Sequence, residues 1–104
     1  MRSVVVQPEA IQETDDAFGW YEDKEPGLGF RFLHDLEIAC AAIARRPEIF
    51  QPVRSGFRRA LMRKFPYAVF FEFDENLAVV HSVFHCSRNP VEWQSRLTPL
   101  KKIL

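Results

Sequence analysis

The fold of this chain is decided by the stretch from Gly56 to Trp93, which reads GFRRALMRKFPYAVFFEFDENLAVVHSVFHCSRNPVEW. It contains two apolar runs of strand length, Tyr67 to Phe73 and Leu77 to Phe84, and both are rich in Val and Phe. The three residues between them, Asp-Glu-Asn at 74–76, favour a turn. The pattern therefore predicts a β-hairpin.

The segments on either side extend this hairpin. Arg58 to Lys64 has the length of a further strand, and Pro66 ends it because proline has no backbone N–H for a sheet ladder. On the other side, Asn89 suits the cap of a helix and Pro90 suits its first position. We expect a three-stranded antiparallel meander followed by a short C-terminal helix.

The N-terminal half predicts one strand and two helices. Arg2 to Gln7 is short and β-branched, and apolar residues then recur at three- and four-residue steps from Pro8 to Glu25 and from Leu28 to Arg46. The Pro-Gly-Leu-Gly segment at 26–29 separates the two helices, and Pro47 ends the second. The order β-αα-βββ-α predicts an α+β fold, with a helical hairpin packed on a mainly antiparallel sheet. The first strand either joins the edge of the sheet or pairs in parallel with a later strand.

Length and composition indicate one folded domain, residues 1–104, in the cytoplasm. The chain has 104 residues and 47% hydrophobic content, enough for a single core. No apolar run approaches the roughly 20 residues that span a bilayer, and the N-terminus does not resemble a signal peptide. We therefore expect Cys40 and Cys86 to be reduced thiols.

Charge is unevenly distributed along the chain. The net charge is zero, but residues 1–44 carry three basic and nine acidic residues, whereas residues 45–104 carry eleven basic and five acidic ones. The zero net charge argues against a strongly electrostatic nucleic-acid binder. The uneven distribution of charge instead predicts that a polyanion or an acidic peptide approaches one face only.

The strand from Tyr67 to Phe73 is apolar on both faces. One face is expected to lie under the helical hairpin, so the other also needs a cover. The candidates for this cover are the final stretch Leu97 to Leu104, the connecting loop from Glu48 to Ser55, and a segment of a partner. If this face is uncovered, it predicts a protein partner.

The motif order resembles that of the RelE/ParE superfamily of type II toxin–antitoxin toxins, also grouped as plasmid-stabilisation proteins. The motifs that carry the resemblance are Trp20-Tyr21-Glu22, the segment from Pro26 to Leu33, the segment from Arg58 to Tyr67, and the ending from His85 to Trp93. The resemblance implies a growth-inhibiting bacterial toxin that a cognate antitoxin neutralises. In this family, a C-terminal antitoxin segment packs along the toxin's helices and sheet.

The family divides by mechanism. RelE-like members cleave messenger RNA on the ribosome, and ParE-like members act on DNA gyrase. In the RelE pattern, basic residues lie on the meander strands, an Arg follows the Tyr of the middle strand, and an Arg and a Tyr lie near the C-terminus. Here Arg59 and Arg63 match the first of these features and Arg88 matches the C-terminal Arg, but Ala68 follows the strand Tyr and Trp93 stands near the second Tyr. These differences favour the ParE-like branch, a gyrase inhibitor that is not an enzyme.

Two alternatives remain at this point. One is a RelE-like, metal-independent endoribonuclease (mRNA interferase), and the other is a degenerate, non-toxic binding module of the same family. In the nuclease alternative, the catalytic residues are His85, Arg88 and Arg63. The residues expected to bind the target are Arg58, Arg59, Arg63, Lys64 and Trp93. The resemblance does not assign the residues that bind the antitoxin.

The sequence predicts neither a cofactor nor a metal site. His81 and His85 would lie on one face of a regular strand, about 13 Å apart at ~3.3 Å per residue, which is too far to share one ion. His34 has no Cys or His partner at ligand spacing. The predicted partners are therefore an antitoxin and either gyrase or the ribosome with its messenger.

Overall fold

Two helices pack on one face of a five-stranded mixed sheet in the computed structural model, which describes residues 1–88 and Leu97. The elements in chain order are β1 (Ser3–Val6), α1 (Pro8–Lys24), α2 (Leu28–Arg45), β2 (Gln51–Pro52), β3 (Arg58–Leu61), β4 (Tyr67–Phe73) and β5 (Leu77–His85). Short 3-10 turns at Pro47–Ile49 and Arg54–Gly56 flank β2. The predicted α+β fold is confirmed, and the helix expected from Asn89 lies outside the described residues.

The strands follow the order β1-β5-β4-β3-β2 across the sheet. β3, β4 and β5 form the predicted antiparallel meander, and β2 adds two residues to β3. β1 lies at the opposite edge and pairs in parallel with β5, with Ser3 beside Leu77 and Val6 beside Val80. β1 is therefore both an edge strand and a parallel strand, so each of the two alternatives predicted for it is correct.

The hairpin turn between β4 and β5 is closed by its own aspartate. The Asp74 Oδ1 atom accepts hydrogen bonds from the backbone N–H groups of Asn76 at 2.8 Å and Leu77 at 2.9 Å. A short side chain that bonds the backbone two and three residues ahead replaces part of a regular turn. The local sequence is thus sufficient to form this turn, as predicted.

The helical hairpin is held by a carboxylate at its corner. Glu22 accepts the backbone N–H groups of Gly27 and Gly29, each at 2.9 Å, and so satisfies donors at the start of α2. Gly27 has φ 92°, a conformation that side chains rarely adopt. At Gly29 the added Cβ of any other residue would lie 2.8 Å from Phe18. The Pro-Gly-Leu-Gly segment is therefore a close-packed corner between the helices.

The main core lies between the helices and the sheet. Its fully buried side chains include Phe32 and Ile43 of α2, together with Val69, Phe71 and Val80 of the strands. These α2 residues belong to the apolar stripe that the helical periodicity predicts. The stripe therefore faces the sheet and fixes the position of the hairpin on it.

The first meander strand ends earlier than predicted. β3 stops at Leu61, and the following residues form a bend rather than continuing to Lys64. The cause is Asp35 of α2, whose buried carboxylate accepts the backbone N–H groups of Lys64 at 2.9 Å and Phe65 at 3.2 Å. These bonds turn the chain toward α2. As a result, Arg63 leaves the ladder.

The second face of the sheet is covered in part by the chain itself. Phe57, Phe70 and Phe84 are buried there, and Leu97 packs on them with 6% of its surface exposed. Of the three covers considered from the sequence, the connecting loop thus contributes Val53 and the final stretch contributes Leu97. The expectation of a partner does not gain support from this face.

No helix in the described part of the chain is both long and apolar enough to cross a bilayer. Cys40 and Cys86 are free thiols. Burial, reinforced by the charge of Glu37, raises the pKa of the Cys40 thiol, so Cys40 stays protonated and is a poor nucleophile.

Candidate functional site

His85 and Arg88 lie together where β5 ends, beside the C-terminal half of α1. They border a cavity of about 530 Å³ that opens between α1 and the sheet. The other residues that line it are Glu13, Asp16, Ala17, Trp20, Tyr21, Tyr67 and Val83. We refer to it as the helix-side cavity. It brings aromatic, acidic and basic side chains to one corner of the molecule.

Glu13 ties α1 to β5 at the wall of this cavity. Its Oε1 atom accepts the backbone N–H of Val83 at 3.0 Å and the hydroxyl of Ser82 at 3.1 Å. A carboxylate with two such donors is fixed in place. The wall of the helix-side cavity is therefore rigid along this side.

Two phenols meet on the cavity floor. Burial and the neighbouring Tyr21 raise the pKa of Tyr67 to about 12, and Arg88 acts in the opposite direction. Burial also raises the pKa of Tyr21, whereas its hydrogen bond with Tyr67 lowers it. The two hydroxyls thus share one hydrogen bond. Both phenols are neutral near pH 7, so Tyr67 can act as a hydrogen-bond donor but not as a base.

His85 has a defined tautomer. Its Nδ1 atom lies 3.1 Å from the backbone N of Ser87 and 2.8 Å from the Ser87 hydroxyl. Because a backbone N–H can only donate, Nδ1 is an acceptor and the proton of the neutral ring is on Nε2. His85 therefore offers Nε2–H as a donor, and the loop after β5 occupies its basic nitrogen.

A smaller cavity, of about 100 Å³, lies on the second face of the sheet behind the same strand end. Arg59, His85 and Arg88 line it, beside Ala68 and Cys86. We refer to it as the sheet-side cavity. The guanidinium carbon of Arg88 lies 4.6 Å from the centre of the Phe84 ring, a cation–π contact on this face. Arg88 thus stands at the border between the two cavities.

The two arginines of β3 point to opposite faces, as adjacent strand residues must. Arg58 pairs with Phe71, and its Nη1 atom donates to the carbonyl of Phe50 at 2.8 Å, so it holds the turn before β2. Arg59 donates through Nη2 to the side chain of Gln51, while its buried Nε atom has no hydrogen-bond partner among the described residues. Arg59, not Arg58, therefore joins His85 and Arg88.

Arg63 and Lys64 lie elsewhere. Arg63 lines a groove of about 370 Å³ between α2 and β3, and Lys64 lines a cavity of about 530 Å³ at the start of α2. The predicted strand from Arg58 to Lys64 would place Arg63 on the same face as Arg59, but this is wrong, because Asp35 ends β3 before Arg63. The proposed catalytic set of His85, Arg88 and Arg63 is not gathered in one cavity. Trp93 lies outside the described residues.

His81 and His85 do not share a face, contrary to the prediction. Ser82 pairs with Phe70 but Val80 pairs with Phe71, which leaves His81 as an extra residue in β5. Such a bulge changes the face on which later residues project. His81 packs on Phe57, and its Nε2 atom lies 2.7 Å from Oε2 of Glu72. The ring of His85 instead contacts that of Tyr67, with the ring centres 5.0 Å apart. The described residues contain no group of three or more metal-binding side chains.

The sequence interpretation missed the residues of the helix-side cavity on α1, Glu13, Asp16 and Trp20. Trp20 offers the clearest signal, because it is a large aromatic residue on the otherwise acidic outer part of an amphipathic helix and is 58% exposed. The sequence marks Tyr67 only as the residue that precedes Ala68. Its place at the start of β4, opposite the end of β5, becomes evident only from the pairing of the strands.

Comparisons with known proteins agree with this architecture. A search of curated proteins found no match. A structure described as the chromosomal ParDE TA system from P. aeruginosa matches with a TM-score of 0.73 and 13% identity, over 82% of this chain and 96% of that chain. The toxin–antitoxin complex RelBE2 from Mycobacterium tuberculosis matches with a TM-score of 0.56 and 18% identity, over 81% and 96%. At these identities, both matches show a shared fold.

The family itself is shown by sequence. The model for the ParE toxin of type II toxin-antitoxin systems, parDE, matches residues 4–90, which include both helices, all of the strands except Ser3 of β1, and the His85–Arg88 corner. This chain belongs to the ParE toxin family, within the RelE/ParE superfamily of type II toxin–antitoxin toxins.

Proposed function

We propose that this toxin arrests bacterial growth by inhibiting DNA gyrase and that a cognate antitoxin neutralises it. The observation that carries the first part is the environment of Ala68. The RelE-like nuclease pattern has an Arg here, but Ala68 is only 4% exposed and lies directly opposite Phe84. The middle strand therefore places no cationic side chain beside His85 and Arg88. The ParE family match supports the same mechanism.

The corner formed by Arg59, His85 and Arg88 is the surface that we propose for target binding. Two guanidinium groups there frame a small concave site on the sheet. A site of this kind suits a carboxylate or phosphate of the target, because Arg presents several donors in a fixed fork. Arg63 and Lys64 add a separate basic surface beside α2. Arg58 is already used within the fold, so we assign it no direct target contact.

A groove along α2 supports a protein partner such as the antitoxin. Its apolar lining includes Phe30, Ile38, Ile49 and Leu61, which are 41–63% exposed. Four basic residues flank it: Arg31, Arg45, Arg63 and Lys64. Exposed apolar side chains with a basic border fit an amphipathic, acidic segment of an antitoxin. The two similar structures are described as a ParDE system and as a toxin–antitoxin complex, which agrees with this proposal.

A second candidate function is ribosome-dependent cleavage of messenger RNA. The sheet-side cavity favours it, because two arginines and a histidine lie around one small concavity. Cleavage by an RNA 2′-hydroxyl requires a base, an acid and cations at the phosphate. Ser87 occupies the Nδ1 atom of His85, the nitrogen that would accept a proton, so His85 is not available as the base at the sheet-side cavity.

Induced expression in a bacterium separates the two functions. If the protein inhibits gyrase, DNA-damage signalling rises within a generation while bulk messenger RNA stays intact. If it is a nuclease, messenger RNA is lost first, and Arg88→Ala prevents the loss. Both parts of the proposal are supported if growth arrest is accompanied by inhibition of gyrase and co-expression of the cognate antitoxin relieves it.

A further inference from the structure

The outer edge of β1 differs from the other edge of the sheet. β2, at the opposite edge, has two residues and contains Pro52, features that discourage pairing with another chain. β1 has four residues, Ser-Val-Val-Val, with no proline, charge or bulge within it. Among residues 1–88 and Leu97, no strand pairs with its outer side. β1 is therefore the edge at which another strand can be added.

The hydrogen-bonding groups at this edge follow from the pairing with β5. The backbone N of Ser3 donates to Asn76 and that of Gln7 donates to Val80. Bonding groups alternate along a parallel strand, so Ser3, Val5 and Gln7 are directed toward β5. The N–H and C=O groups of Val4 and Val6 are directed away from the sheet. The edge thus offers two donors and two acceptors at alternate positions.

These four groups are self-complementary. If a second β1 lies antiparallel about a two-fold axis at Val5, Val4 of each copy faces Val6 of the other. Each such pair exchanges two hydrogen bonds, so all four groups on each copy are used. Val5, which is 46% exposed, then lies directly beside Val5 of the second copy, where β-branched side chains pack well.

The charges next to β1 also favour the antiparallel arrangement. Arg2, just before β1, is directed toward the sheet, because its Nε atom donates to the carbonyl of Asp74 at 2.6 Å and its guanidinium lies over the Phe73 ring. Glu9 lies in the first turn of α1, just after β1. Antiparallel pairing about Val5 keeps the Glu9 residues of the two copies at opposite ends of the interface, whereas parallel pairing would bring these like charges together.

We propose that the free toxin forms a two-fold dimer through β1, in which the two sheets join into one continuous sheet. A pair of four-residue strands is small beside a typical stable interface of roughly 1,600 Å². The dimer is therefore reversible and depends on protein concentration. It occupies a different surface from the His85–Arg88 corner and does not rest on the proposed function.

Charge substitutions at the two-fold axis test this dimer in the full-length chain. Val5→Lys and Val5→Glu each place like charges side by side, and we expect each to raise the dimer dissociation constant about tenfold or more in sedimentation velocity. An equimolar mixture of the two variants places opposite charges together and restores a heterodimer. Arg54→Glu, at an exposed residue beside β2 and outside the cavities described above, is the charge control and dimerises like the wild type.

Hydrogen exchange tests the register independently. As the concentration of the wild-type protein rises, the amides of Val4 and Val6 gain protection, whereas that of Val5 is protected throughout. The proposal is overturned if the wild type remains monomeric at all concentrations, if either Val5 variant dimerises as the wild type does, or if the mixture stays monomeric. Protection that rises equally at Val4, Val5 and Val6 overturns the register.

Discussion

Tyr67 and His85 lie directly opposite each other on β4 and β5, with their ring centres 5.0 Å apart. The first residue of the middle strand thus meets the last residue of the final strand. The hydrogen bond between Tyr67 and Tyr21 extends this contact to α1. The pair therefore connects the sheet to the helical hairpin beneath the corner that carries Arg88.

The raised pKa of Tyr67 predicts an alkaline loss of stability. The phenol has a pKa of 10.0 when unfolded and about 12 when folded, so the unfolded state loses this proton first. The free energy of unfolding is then unaffected by this group below about pH 10 and falls as the pH rises from 10 to 12. Tyr67→Phe should reduce this decline in urea unfolding measured across that range. An equally steep decline in the variant would contradict the assignment.

The corner at Gly29 predicts opposite effects for two glycine substitutions. Gly29→Ala should lower the free energy of unfolding by about 1–3 kcal/mol, because the new Cβ meets the ring and the carbonyl oxygen of Phe18 at 2.8 Å. Gly19→Ala is the matched control in α1, because the new Cβ would meet no side chain or neighbouring element within 4 Å. This substitution should raise the free energy of unfolding by about 0.5–1 kcal/mol. Urea denaturation measures both. Stabilisation by both substitutions would refute the close packing at Gly29.

Asp35 should be essential for the bend after β3. Asp35→Ala removes the acceptor of two backbone N–H groups at a buried site, which should cost about 2–4 kcal/mol of unfolding free energy. Amide exchange at Lys64 and Phe65 should also accelerate. Asp15→Ala, at an exposed position of α1, is the control and should change stability by less than about 0.5 kcal/mol. Unchanged exchange at Lys64 and Phe65 would show that the bend has another cause.

Substitution of His85 separates positioning from catalysis. His85→Gln keeps a polar side chain at the strand end, and we expect growth arrest to persist with at most a few-fold loss. A general acid or base typically contributes 10²–10⁴-fold to a rate, so a nuclease would lose nearly all activity. Viable counts after induction provide the measurement, with Arg88→Ala as the comparison that weakens target binding. His85 also borders the proposed target-binding surface, so loss of toxicity in correctly folded His85→Gln would favour the nuclease if the wild type cleaves messenger RNA and the variant does not.

Features that depend on neighbouring residues could be predicted from the sequence. The turn at Asp74 is closed by its own side chain, and the stripe of α2 is buried as its periodicity indicates. The Pro-Gly-Leu-Gly corner follows from residue types that interrupt helices. Local chemistry fixes each of these elements, so no knowledge of the rest of the fold is needed.

Features that depend on distant residues could not be predicted from the sequence. β3 ends at Leu61 because Asp35, almost thirty residues earlier, binds the following backbone. The bulge at His81 depends on how β5 is registered against β4, and it sends His81 and His85 to different surroundings. Leu97 covers the second face from far along the chain. Arg59, His85 and Arg88 were therefore named from the sequence, but their grouping, and the residues of α1 beside them, required the structure.

Inhibition of purified DNA gyrase is the most direct test of the proposed function. We expect the toxin to block supercoiling of relaxed plasmid by gyrase in a dose-dependent way, and Arg88→Ala to require at least about tenfold more protein for the same effect. In a parallel translation reaction, messenger RNA should remain uncut. Full gyrase activity at saturating toxin, together with cleavage of messenger on the ribosome, would contradict the account.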